Sequence, residues 1–323
     1  MSQTPITWNF TANPSAFGFG PQTNSTQVDI GLDATTPVGL YGNLPSSIPP
    51  SLSAKAWTPT SLYSPIVWLD AADYGTFQFT SGTSIGTWRN KGSATDATAG
   101  ATKPVYNATG LNNLPSVQFT GNTGVSDSSY IQGTMSGAAI NTGAYLHAFI
   151  VCSVTNKAGT PTQYSRILSL ARNGVSDVVE PTTCLAFGRN QSSQAIYTNR
   201  NTGDNFPNPS PFGTPLIAEV YNEPSNCYIA LNGSPIPPPR VATGTTANFN
   251  IDKYSIGIEA SYPGAGSGTF TFFEGFVSEV LYYKDQMSLA QICTVEGYLA
   301  WKWGLQANLP NVHPFKNFPP SPS

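Results

Sequence analysis

Charge is what this chain has least of. Its 323 residues hold 14 Lys and Arg and 17 Asp and Glu, 10% of the sequence, where a soluble globular domain usually has about 25%. No two basic residues are adjacent. The clustered Lys and Arg that release counterions from a nucleic acid are therefore missing, and no nucleic-acid partner is expected. Long apolar runs are missing too, which argues against membrane insertion by a helix. The opening stretch Met1 to Trp8 lacks both the basic region and the apolar core of a secretory signal, so synthesis in a host cytoplasm is expected. The four cysteines, Cys152, Cys184, Cys227 and Cys293, form no CxxC pair, which removes the usual zinc and redox spacings. Each lies in an apolar context and reads as a buried free thiol, with disulfides left open. Only two histidines occur, His147 inside an apolar run and His313 in a proline-rich tail.

Disorder is excluded by what is present. A net charge of -3 with 12% aromatic residues is the opposite of a disordered composition. Residues 1–60 carry few charges and many prolines, and they include Trp8, Phe10, Phe17 and Phe19. Proline at that density forbids a long helix or a central strand, so the segment reads as an extended arm that lies on a surface. From Pro65 onward about a dozen short β-like runs alternate with Gly, Asn, Ser and Pro clusters, the spacing of a sandwich or barrel. They include Ile66 to Leu69, Gly86 to Arg89, Tyr145 to Cys152, Leu216 to Tyr221 and Gly275 to Tyr283. One segment has helical period: Leu289, Ile292, Val295, Leu299 and Trp303 follow Ser288, with Gln291 in the capping-box position and Gly304 as the stop. Trp301 and Trp303, two apart on that helix, must face different ways. The tail from Pro310 holds five prolines together with Phe315 and Phe318 and is expected to be extended.

Three segments taken together carry a resemblance. Val67-Trp68-Leu69-Asp70-Ala71-Ala72-Asp73, Thr87-Trp88-Arg89-Asn90-Lys91-Gly92-Ser93, and the pair Gly275 to Tyr283 and Glu296 to Leu305 resemble the concanavalin A-like lectin/glucanase superfamily in its laminin-G-like branch. The likeness spans about residues 62–310, and its closing motif is similar to domains from virions of large DNA viruses and phages. It implies an all-β, two-sheet antiparallel jelly-roll sandwich with one C-terminal helix. The expected organisation is an N-terminal arm over 1–60, the sandwich over 61–309 and a tail over 310–323. The family includes lectins, glycanases and structural modules, so fold alone does not fix activity.

Catalysis is poorly supplied. Glycanases need two carboxylates across a substrate, and on one strand these must stand two residues apart to share a face. The closest approaches are Glu219 and Glu223, four apart with Pro224 following, and Glu274 and Glu279, whose odd separation puts them on opposite faces of a strand; these residues and Glu259 read as solvated strand ends. His147 reads as a hydrogen-bonded core histidine. Asp70 and Asp73 can donate oxygens to calcium, but two carboxylates fall short of the six to eight ligands it takes, so they read as a turn. Neither a catalytic residue nor a metal or cofactor is expected. For a glycan, the best candidates are Tyr197, Asn199, Arg200, Asp204 and Phe206, aromatic and amide groups in one loop-rich region. For protein partners they are Trp8, Phe10, Phe17, Phe19, Phe315 and Phe318, because charge is scarcest in the two ends and interface cores are charge-poor. The leading expectation is a non-enzymatic structural component of a virion, contacting other capsid proteins. The alternative is a glycan-binding lectin for host attachment, and the second alternative a divergent glycoside hydrolase.

Overall fold

The computed structural model of the chain describes residues 57–121, 128–135, 145–155, 165–172, 183–190, 193–199, 208–209, 213–222, 226–235, 240–241, 251–260 and 272–321. Eighteen strands and one α-helix lie among them. The strands are β1 (Val67–Asp70), β2 (Phe77–Ser81), β3 (Ser84–Trp88), β4 (Ala97–Ala99), β5 (Val105–Leu111), β6 (Leu114–Phe119), β7 (Ile131–Thr134), β8 (Leu146–Val154) and β9 (Ser165–Ala171). They continue with β10 (Thr183–Asn190), β11 (Ser193–Asn199), β12 (Asn208–Pro209), β13 (Leu216–Asn222), β14 (Asn226–Leu231), β15 (Ser234–Pro235), β16 (Arg240–Val241), β17 (Lys253–Ile256) and β18 (Gly275–Tyr283). The helix is α1 (Leu289–Lys302). It is not long and apolar enough to cross a membrane.

The pairing between these strands is antiparallel throughout and forms one curled sheet with two halves. In one half β18 pairs with β1, β6 and β8, β8 pairs with β13, and β13 with β14. The other half runs from β2 through β3, β4, β7, β17, β9 and β10 to β11 and β12. Strand β5 joins the two by pairing with both β6 and β3. The expected all-β fold with a closing helix is thus the observed one.

Every residue of β8 is buried, as are all but one of β18. A strand in a one-faced sheet buries alternate residues. Burial on both faces means that this half has the sandwich core on one side and a second layer on the other, and α1 with the chain after it supplies that layer. Ser288 caps α1: its hydroxyl accepts from the Gln291 amide at 3.4 Å, and the Gln291 side chain accepts from the Ser288 amide at 2.8 Å. The helix ends at Gly304, whose φ of 68° favours glycine, and the Leu305 amide returns to the Ala300 carbonyl at 2.7 Å, a Schellman closure. Of the five apolar positions in the sequence pattern, Ile292, Val295, Leu299 and Trp303 are buried, while Leu289 at the first turn is 74% exposed.

The tail differs from expectation, since residues 310–321 turn rather than run extended. The His313 amide bonds to the Pro310 carbonyl and the Lys316 amide to the His313 carbonyl, at 2.9 and 3.0 Å, and the segment folds back over α1. Proline excludes helix and ladder, but its fixed φ suits turns as well as extension. Phe315 packs against Gly297, where any Cβ would strike its ring and Cβ. At the other end of the described chain, the Trp57 ring lies 5.0 Å from that of Tyr298 on α1.

The outer edge of β1 is closed by the turn after β3, whose Lys91 and Ala94 amides bond to the Trp68 and Ile66 carbonyls, together with one side chain. Asn90 accepts from the Trp68 and Gly92 amides at 2.7 and 3.1 Å, and it donates to the Ile66 and Ala94 carbonyls at 3.0 and 2.8 Å. One carboxamide thus uses its full hydrogen-bonding capacity. Gly92 must be glycine, because a Cβ there would meet the Pro65 and Ile66 carbonyls. Asn90→Ala is expected to lower unfolding free energy by about 2–3 kcal/mol, since it orphans several partly buried backbone groups. Denaturant unfolding that finds a loss below about 0.5 kcal/mol, the level of an ordinary surface change, would remove Asn90 from this role.

Candidate functional site

The face of the sheet beneath α1 is where the chain concentrates its ionisable side chains. Directly opposed residues of paired strands share a face, as do alternate residues of one strand. The register Trp68↔Leu281, Leu281↔Phe149 and Phe149↔Glu219 therefore sets one row across β1, β18, β8 and β13. The flanking rows place Asp70 opposite Glu279, and Tyr283, His147 and Tyr221 side by side. Two polar groups result.

The first is built from the three segments of the sequence resemblance. Asp70 and Glu279 would repel across the β1–β18 pairing, but Lys302 at the end of α1 bridges them, 2.8 Å from each carboxylate. Glu279 has no exposed surface. It accepts from the indole N–H of Trp68 at 2.9 Å, from that of Trp303 at 2.7 Å and from the Tyr298 hydroxyl at 3.0 Å. Lys91 pairs with Asp70 at 3.2 Å and Asp73 at 3.0 Å, and its ammonium stands 4.2 Å above the Trp68 ring. Burial pushes the Glu279 carboxyl above its ordinary value, Lys302 opposes that rise, and neighbouring Asp70 adds to it. Asp70 and Asp73 are therefore held in ion pairs with lysines that any cation at this turn would have to displace.

The second group lies under the first half of α1. Glu219 is buried at 1% exposure, with His147 Nδ1 3.7 Å from its carboxylate. The His147 ring lies 4.2 Å from that of Tyr221, and among the described residues neither ring nitrogen has a hydrogen-bond partner. Burial pushes this imidazole down to about 3, so it is neutral near pH 7. From the helix come Cys293 and Glu296, three residues apart and so on one face. From the tail comes His313, whose Nε2 lies 3.2 Å from Glu296. The ligand atoms of Cys293, Glu296 and His313 all lie within 4.8 Å of one another.

These positions correct two sequence readings. Glu219 and Glu279 are buried, because α1 lies over the strand face that would otherwise be solvated. His147 is a core histidine without the expected hydrogen bond. Trp301 and Trp303 diverge as their spacing requires: Trp303 reaches Glu279, and Trp301 donates to the Phe315 carbonyl at 2.8 Å. Trp88 is buried in the core. Tyr197 and Asn199 fall on β11. Arg200, Asp204 and Phe206 lie outside the described residues, as do Trp8, Phe10, Phe17, Phe19, Glu223 and the glycine-rich loop at 264–268. Phe315 is half-buried on the helix and Phe318 is 49% exposed. Cys152 is a buried free thiol and Cys293 a free, partly buried one. Sequence reasoning missed the meeting of Cys293, Glu296 and His313. The only signal was a Cys-x-x-Glu step on a predicted helix, and the third member arrives from the tail.

Lys302→Met leaves buried Glu279 without a cation and Asp70 with Lys91 alone, and is expected to cost about 3–5 kcal/mol at pH 7. A carboxyl whose folded value is raised binds its proton more readily folded than unfolded, so its protonation stabilises the fold as pH falls. With Lys302 gone Glu279 rises further, and the deficit against the parent chain narrows between pH 7 and pH 5. Chemical unfolding at both values checks this, and a deficit constant with pH would contradict it.

No family model matches the chain, and no curated protein matches it in sequence. Among solved structures it is similar to Trypanosoma rangeli sialidase in complex with sialic acid, with a TM-score of 0.46 and 11% identity over 71% of this chain and 32% of that one. It is also similar to domain 4 of a GH43 extracellular arabinanase from Geobacillus stearothermophilus in complex with arabinotriose, with a TM-score of 0.44 and 10% identity over 71% of this chain and 96% of that one. A third is the native heptameric SAP-like pentraxin of Limulus polyphemus, with a TM-score of 0.38 and 14% identity over 49% of this chain and 72% of that one. The chain spans about a third of the length of the sialidase it matches. These are likenesses of β-rich architecture, and the fold described above rests on the chain's own strand pairing.

Proposed function

We propose that this chain is a non-catalytic structural component of a virion, a minor capsid or capsid-surface protein held to its neighbours by its terminal arms. The observation that carries the non-catalytic part is the state of the carboxylates on the motif strands. Asp70 and Glu279 are the pair that their register brings together, yet Lys302 bridges them under a helix, with two indoles and a phenol on Glu279. A glycanase needs one carboxyl free to deliver a proton and another facing the sugar; neither is open here. The structural part is supported by the tail, which leaves Val312 and Phe318 exposed on a surface with few charges. The virion is inferred from the resemblance of the closing segment to viral domains.

A lectin is the second reading, resting on the aromatic and amide residues of the sequence around Tyr197 and Asn199, residue types that suit a sugar. Deleting residues 1–55 is expected to leave a domain with unchanged circular dichroism and unfolding midpoint that no longer co-sediments with particles. A truncated chain that assembles as the full chain does would overturn the arm reading. On a glycan array the isolated domain is expected to be silent; saturable binding abolished by Tyr197→Ala would move the function to the lectin.

A further inference from the structure

We propose that Cys293, Glu296 and His313 bind a divalent transition metal of the zinc class, which fastens the C-terminal tail to α1. The donor set selects the metal. A thiolate and an imidazole are poor ligands for calcium or magnesium, and with a carboxylate they suit zinc. The geometry is close to what such an ion needs. Metal–ligand bonds of about 2.0–2.3 Å place tetrahedral donors about 3.4–3.6 Å apart; here the donor atoms lie within 4.8 Å of one another and His313 Nε2 is already 3.2 Å from Glu296. Rotation of the side chains closes the remainder.

The surroundings point the same way. Glu296 and His313 are 3% and 7% exposed, and a carboxylate so buried needs more compensation than one hydrogen bond gives. A second carboxylate, Glu219, lies close enough to interact with the same thiol. Behind Glu219 stands His147, wholly buried, with neither ring nitrogen hydrogen-bonded among the described residues and Nδ1 turned toward that carboxylate at 3.7 Å. Two carboxylates, a thiol and two imidazoles thus gather under one helix in a chain that is 10% charged. A divalent cation is the partner that this set has in common. Gly233 makes room, since a Cβ there would press on the His313 ring at 3.0 Å.

Metal binding rearranges protons in a defined way. His313 Nδ1 accepts from the Phe315 amide at 3.2 Å, which leaves a ring proton on Nε2, toward Glu296. When Nε2 takes the metal, that proton is lost and Nδ1 gains one, so the Phe315 amide must find another acceptor. The Cys293 thiol loses its proton to solvent as sulfur binds. One proton is released per ion, with no change in oxidation state.

The full chain, stripped with a chelator and titrated with cobalt(II), is expected to bind about one ion, with a thiolate-to-cobalt charge-transfer band in the near ultraviolet and about one proton released. Zinc should displace the cobalt and raise the melting temperature. Cys293→Ser should abolish the band, His313→Gln should weaken binding by at least about tenfold, and Cys152→Ser should change neither. His313→Gln alters only the tail, so it remains informative if the Cys293 variant fails to fold. A parent chain that shows no such band, or variants that bind cobalt as the parent does, would reduce the cluster to a His313–Glu296 hydrogen bond and overturn the proposal.

Discussion

The ammonium group of Lys302 sits between two carboxylates that the sheet forces together. β1 and β18 pair in a register that puts Asp70 opposite Glu279, and like charges in that position destabilise a ladder. Lys302 can reach both only if α1 lies across the strands with its last turn over them. The Schellman closure at Gly304 then directs the following chain back along the helix. The first strand, the last strand and the helix are thereby tied at one point. This explains why motifs separated by about two hundred residues read as one pattern: Trp68 and Asp70, Lys91, Glu279, and Tyr298, Lys302 and Trp303 are members of a single network. A buried ion pair is weak evidence for stability by itself. Its consequence is positional, because an uncompensated Glu279 would not tolerate a helix laid over it.

How much of this was legible in the sequence follows from what each signal depends on. Strands such as β8 and β18 announce themselves because burial on both faces writes a continuous apolar run. The short or polar strands were not foreseen: β4 has three residues, and β5, Val-Tyr-Asn-Ala-Thr-Gly-Leu, holds one buried side chain. Their ladders are stabilised by neighbours, not by their own pattern. The helix was readable down to its cap because capping is a local matter of Ser288, Gln291 and Gly304. Burial of Glu219 and Glu279 was not readable, since it depends on which strand face the helix covers. Likewise His313 meets Glu296 only because the tail turns back, and a run of prolines does not say whether a segment extends or turns.

The layer between α1 and the sheet has consequences for function. It gathers a minority of the chain's ionisable groups into two buried sites, one closed by lysines and one proposed to take a metal, and it draws the carboxylates of the motif strands away from solvent. Among the described residues, those exposed on the helix and tail carry no charge: Leu289, Val312 and Phe318 stand among Asn308, Asn311 and Asn317. A β-sandwich whose tail folds back on its helix is compatible with the structural role proposed above.

The most direct test of the account is a double-mutant cycle between Asp70→Asn and Lys302→Met, read by equilibrium unfolding at pH 7. If Lys302 holds the helix by compensating the paired carboxylates, the two losses are strongly non-additive, with a coupling of about 1–3 kcal/mol. Losses that simply add would mean that the lysine and the strand carboxylates act independently, and the helix would have to be held by its apolar face alone.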